Sequence, residues 1–148
     1  MKAEVVQYEV IHAMEILDRN REIMLSKIDG WERIIQDWRT SGPAYTLLLD
    51  GVPVACAGVI FMGWSRGEAW TLLSPEIKNH PRLIFSQVKK NLEKIIAENG
   101  LRRVQAIVLE GHEEGKVFLE HLGFKIETPH GMKGFGPNGE TFYMFGRV

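Results

Sequence analysis

The chain has 148 residues, 45% of them hydrophobic and 25% charged, with a net charge of −1. These values exclude a disordered, collagen-like or coiled-coil chain and any global charge pull on nucleic acid or an anionic membrane. The single cysteine, Cys56, excludes an internal disulfide and a cysteine-built zinc site, and the five histidines show no metal-ligand spacing. The apolar run at 52–62 is far shorter than the ~20 residues that span a bilayer. The opening MKAEVVQYEV carries acids and no apolar signal core. The expectation is one cytoplasmic domain over residues 1–148, with no nucleic-acid or membrane partner and no metal.

Residues 10–28 place apolar side chains at 10, 14, 17, 24 and 28, a helical spacing interrupted by the polar run DRNRE. Asp29 reads as an N-cap with Glu32 as its capping-box partner. Trp31, Ile34, Ile35 and Trp38 form one stripe of the following helix, which Ser41, Gly42 and Pro43 stop. Asp50-Gly51 between two apolar runs predicts a tight hairpin joining strands at 44–49 and 52–62. A second turn at 65–67 leads to a third strand at 68–73. The spacing of Ile84, Phe85, Val88, Leu92, Ile95 and Ile96 predicts a helix over 81–99, with Pro81 in its first turn and Gly100 as its stop. A strand at 103–110, a helix at 111–122 and a closing strand pair at 124–128 and 140–147 follow. The last strand is apolar and is expected to offer an edge for a homodimer.

A helix between two strands, inside an otherwise antiparallel meander, implies one parallel pair. Where parallel strands part beside a helix N-terminus, free backbone groups and the helix dipole suit an anionic ligand. The fold class is therefore α/β (α+β), built on a mixed, mostly antiparallel sheet.

That order of elements, with Leu119-Glu120-His121-Leu122-Gly123-Phe124 late in the chain, resembles the GNAT superfamily of acyl-CoA-dependent N-acetyltransferases. The stretch is similar to the family's Y-x-x-L-G-F segment, and the resemblance covers roughly residues 44–148. It implies a central sheet splayed at its parallel pair, helices on both faces, acetyl-CoA as cosubstrate and an amine as acceptor. More narrowly, Trp70 before the long helix and the stretch 139–143 resemble GNAT-like proteins of tailed phages. Three positions depart from the family pattern. Its glycine-rich pyrophosphate turn falls on 78–83, where Pro81 and Leu83 replace the glycines; proline has no N–H to donate and leucine crowds a close backbone approach. Leu119 stands where a tyrosine often serves as general acid, and His112 stands where the family has an asparagine.

The resemblance implies that Trp70, Thr71, Leu72 and Leu73 flank the pantetheine arm through their backbone. Between Lys78 and Arg103 seven Lys/Arg stand against two Glu, and Lys78, His80 and Arg82 cluster at the start of the long helix as a candidate phosphate site. Glu68, Glu110 and His112 are candidate bases for an amine, with Glu110 and His112 close enough in sequence to pair. Tyr143 is the phenol that could replace the missing one at 119. Each has a plainer reading: Trp70 and Tyr143 as packing aromatics, Glu68 and Glu110 as surface acids, His80 as a loop residue, His112 as an exposed helix-start residue, and the basic run as a solvated face with pairs such as Lys90–Glu93. Two functions follow from the two readings. One is acetyl transfer from acetyl-CoA to an amine. The other is a GNAT-fold protein without catalysis, acting as a binding or structural component of a phage particle.

Overall fold

The computed structural model describes residues 2–148. A single sheet of seven strands runs through it in the order β1-β2-β3-β4-β5-β7-β6. In chain order these are β1 (Ala3–Gln7), β2 (Ala44–Leu49), β3 (Val52–Gly63), β4 (Arg66–Leu73), β5 (Arg103–Leu109), β6 (Lys125–Ile126) and β7 (Phe142–Arg147). The helices are α1 (Val10–Arg19), α2 (Trp31–Thr40), α3 (Pro81–Asn99) and α4 (Glu113–His121). Every neighbouring strand pair is antiparallel except β4 and β5, as the helix between them requires.

Helices cover both faces. On one face Ile84, Val88, Leu92 and Ile95 of α3, with Leu122 and Phe124 after α4, pack on Leu47, Val59, Val104, Ala106 and Val108. On the other, Ala13, Ile16 and Leu17 of α1 and Ile35 and Trp38 of α2 pack on Cys56, Leu72 and Trp70. β3 lies between these two layers, so residues 53–59 are buried without interruption. That explains its continuous apolar run, which shows no alternation. Trp38 and Trp70 stack at 3.9 Å, and Tyr8 meets Trp70 edge-on at 5.5 Å while its hydroxyl donates to the carbonyl of Ile35 at 2.8 Å. Burial pushes the Tyr8 phenol well above its ordinary range.

The segment 10–28 is divided at DRNRE, into α1 and a 3₁₀ turn at Met24–Lys27. Three local expectations change. The N-cap of α2 is Gly30, at φ 82°, and not Asp29; no side chain caps that helix. The β3–β4 turn is carried by Trp64 and Ser65, both at φ 57°, so β4 begins at Arg66 and the 65–67 turn lies slightly too late. β7 is flanked by β5 and β6, so it has no free edge, and a homodimer would need another surface. β1 was not legible in the sequence: only Val5 and Val6 mark it as a strand, and its partner lies about forty residues on.

Gly58 sits where β3 passes Pro43 and Trp70; an added Cβ would lie 2.6 Å from the Pro43 carbonyl oxygen and 2.9 Å from the Trp70 ring. Gly58→Ala is expected to lower the unfolding free energy by about 1–3 kcal/mol through overpacking. Urea denaturation followed by tryptophan fluorescence measures it.

Candidate active site at the β4–β5 splay

β4 and β5 pair at only three positions, Arg66 with Arg103, Gly67 with Val104 and Glu68 with Gln105. Beyond Glu68, β4 stays paired to β3 as far as Leu73, while β5 follows β7 as far as Leu109. The two strands therefore part in a V that opens toward their C-terminal ends, with Glu68 and Gln105 at the vertex. Strand alternation puts Glu68 on the same face as Trp70 and Leu72, the α1–α2 face. Ala69 and Leu73 pack toward α3, and Thr71 between them is exposed.

At the vertex a chain of hydrogen bonds runs from β4 through β5 to Glu127, just past β6. Gln105 Nε2 donates to Glu68 Oε1 at 3.4 Å, and Arg103 Nε donates to Gln105 Oε1 at 3.3 Å. The Arg103 guanidinium forks onto Glu127 at 2.6 and 2.8 Å. An added Cβ at Gly146, the register partner of Gln105, would strike Glu127 and Arg103, so this glycine gives the pair its room over the sheet. The hydrogen bonds and charge of Arg103 hold the Glu127 carboxyl below the ordinary carboxylate range. Gln105, Arg103 and Glu127 were not singled out from the sequence. Gln105 interrupting the apolar strand RVQAIVL was the one visible signal; the Arg103–Glu127 contact joins residues 24 apart.

The other sequence candidates lie elsewhere. Glu110 follows β5, five residues past Gln105, or ~16 Å at ~3.3 Å per strand residue, so Glu68 and Glu110 cannot serve one amine together. Glu110 accepts a hydrogen bond from the Tyr143 hydroxyl at 3.3 Å, and Lys116 Nζ sits 4.1 Å from the centre of the Tyr143 ring. Tyr143 is the register partner of Val108, on the α3–α4 face opposite Glu68. The expected Glu110–His112 pair is not formed: His112 stands exposed at the start of α4, with its Nδ1 beside Gly115. Glu93 pairs with Arg147 at 3.8 Å and not with Lys90. Leu119 packs against the core under α3 and α4. Cys56 is fully buried, beside the Thr46 hydroxyl, and burial pushes its thiol up to about 12, so it is no nucleophile.

The segment between β4 and α3 is a 3₁₀ turn, Pro75–Asn79, and the two positions where the resemblance expects glycines, Pro81 and Leu83, fall in the first turn of α3. It consumes its own donors: the N–H groups of Ile77 and His80 go to Ser74 and Ile77 carbonyls, and that of Glu76 to Ser74 Oγ. Glu76 also pairs with Arg19 of α1 at 3.3 Å, which fixes the turn to the opposite layer. At the start of α3, Pro81 offers no N–H, but those of Arg82 and Leu83 carry no hydrogen bond among the described residues. Lys78 and Arg82 are exposed beside them, and His80 is the half-buried N-cap residue. Two amides and two cations thus stand at the open end of the V.

No protein-family model and no curated protein matches the sequence. Solved structures do. A ribosomal-protein-S5-alanine acetyltransferase from Vibrio fischeri superimposes with a TM-score of 0.78 at 15% identity, over 100% of this chain and 93% of its own. A chimera built on the Vibrio cholerae spermidine N-acetyltransferase gives 0.76 at 12% identity, over 100% and 96%. The ribosomal-protein-S18-alanine N-acetyltransferase of Escherichia coli gives 0.73 at 14% identity, over 99% and 93%. The chain has the GNAT fold. Likeness at these identities shows the fold alone.

Glu127→Gln is expected to destabilise the protein at neutral pH by up to ~1 kcal/mol, the scale of a partly exposed ion pair. Because the folded-state pKa of Glu127 is lowered, that stabilisation is present above the ordinary glutamate range and is lost as pH falls through the folded value. Denaturation midpoints of wild type and variant should therefore differ at pH 7 and converge in acid.

Proposed function

We propose that the protein is an acyl-CoA-dependent N-acetyltransferase that acts on an amine. The observation that carries this reading is the V between β4 and β5 with the Glu68 carboxylate held at its vertex. The residues that would hold acetyl-CoA are those along the V and at its mouth. The β5-facing backbone of 69–73 suits the amide groups of a pantetheine arm, and the Arg82 and Leu83 amides with the Lys78 and Arg82 side chains suit its phosphates. When bound, the group supplies a thioester carbonyl as acyl donor. Glu68 takes a proton from the acceptor ammonium, so that a neutral amine faces the vertex. Gln105 keeps the carboxylate oriented, and Arg103 with Glu127 keeps Gln105 in place. At position 119 α4 carries a leucine and no phenol, and the Tyr143 hydroxyl is engaged by Glu110, so the leaving group takes its proton from solvent.

A second reading is favoured by two specific features, Pro81 at the phosphate end and Leu119 in the core. On that reading the chain is a GNAT-fold binding or structural component, including the phage type, without catalysis.

Calorimetry with acetyl-CoA separates the two readings. Binding is expected, weakened roughly 10–100-fold by Lys78→Ala combined with Arg82→Ala, the scale of one charge-assisted contact. No heat at millimolar cosubstrate would sink the transferase reading. Glu68→Gln is expected to leave acetyl-CoA binding unchanged and to lower turnover by ~10²–10⁴, the usual weight of a general base.

A further inference from the structure

On the α1–α2 side, the sheet surface next to Glu68 is not covered by a helix. Ile107 and Leu109 continue β5 on the face of Gln105, and Met144 is the register partner of Ile107. All three are half-buried, yet they pack into neither core among the described residues. Phe142, the partner of Leu109, is buried under Phe135 of the glycine-rich loop, ring centres 5.6 Å apart, and closes the far end of the strip. The stacked Trp38–Trp70 pair lies across the V, two residues along β4 from Glu68. From Gln105 to Leu109 the strip is ~13 Å long at ~3.3 Å per residue.

The charge of this surface is as informative as its apolarity. Among the described residues Glu68 makes no ion pair and accepts only from the neutral Gln105. The adjacent Arg66 turns its guanidinium over the Trp64 ring, 5.1 Å from the centre. Glu127, the other carboxylate at this end, is fully taken by the Arg103 fork. Glu110 is engaged by Tyr143 on the opposite face. Of Glu68, Glu110 and Glu127, Glu68 alone is left free for an ammonium, and apolar surface follows it.

Resting on the transferase reading, we infer that the acceptor is a primary monoamine on an apolar body, of the arylalkylamine type. Its ammonium pairs with Glu68, and its body lies on Ile107, Leu109 and Met144. A polyamine would bring further ammonium groups onto this strip, whose apolar side chains offer them no partner, so their desolvation is uncompensated. A peptide N-terminus would bring backbone polar groups onto the same apolar surface, with the same penalty.

The test uses the full chain without acetyl-CoA. Phenethylamine, spermidine and a short alanine-initiated peptide are each titrated by calorimetry and by tryptophan fluorescence. Phenethylamine is expected to bind roughly tenfold or more tighter than the other two, the scale of burying one phenyl ring. Ile107→Asn and, separately, Met144→Thr should each weaken it several-fold while circular dichroism stays unchanged, and Trp70→Phe should remove most of the fluorescence response. Equal or tighter binding of spermidine or the peptide overturns the inference, as does no binding of any amine or indifference to both strip variants. The transferase reading is tested apart from this, by release of CoA thiol: the predicted binding order without turnover upholds the monoamine site and refutes only the transfer.

Discussion

Everything that could act in this protein depends on β4 and β5 agreeing for three residues and then parting. Each strand is committed to a different antiparallel neighbour, β4 to β3 along its whole length and β5 to β7. Antiparallel ladders on both outer sides leave the inner pair free to diverge as the sheet twists. Where they diverge, two backbone edges lose their strand partners, and backbone polar groups away from water demand some other partner. A ligand with amides of its own satisfies that demand, which ties the V to a physical role before any family is considered.

The vertex is polar for a reason that belongs to the same geometry. Glu68 and Gln105 are the last paired residues, so their side chains stand together on one face. A lone carboxylate there would be loosely held. Gln105 binds it, Arg103 binds Gln105, and the fork onto Glu127 stops the chain from swinging. The absence of a side chain at Gly146 lets this network lie against the sheet. The mouth of the V has a different design. Its 3₁₀ turn spends its amides internally and is pinned to α1 through Arg19, so anion attraction rests on the first turn of α3 and on two exposed cations. Such cations are weakened by salt screening, so the pull on an anion at this end falls as ionic strength rises.

The α3 helix, the 44–62 hairpin, the parallel step and the break at DRNRE were legible because each rests on local chemistry. Helical spacing marks α3, Asp50-Gly51 satisfies a turn that needs positive φ, and a helix between two strands forces them parallel. Lys78, Arg82 and Glu68 were legible as candidates by type and position. β1 was not, because an edge strand with few apolar residues is specified by its partner rather than by its own pattern. Nor was the turn at Trp64 and Ser65, which breaks local preference by placing two non-glycine residues in the left-handed region.

The sequence by itself determined the order of elements after β1, the parallel crossover and the positive segment at the start of α3, since these follow from periodicity, turn chemistry and charge read along the chain. Only the tertiary structure separated the candidate bases in space. Glu68, Glu110 and His112 are all candidates by residue type, but the strand register puts Glu68 at the vertex and the other two beyond the far end of β5. It also decided that Glu127 is neutralised by Arg103 and that Ile107, Leu109 and Met144 share an uncovered surface. Those relations join positions far apart in the chain, and proximity in the fold is a property that no local pattern encodes.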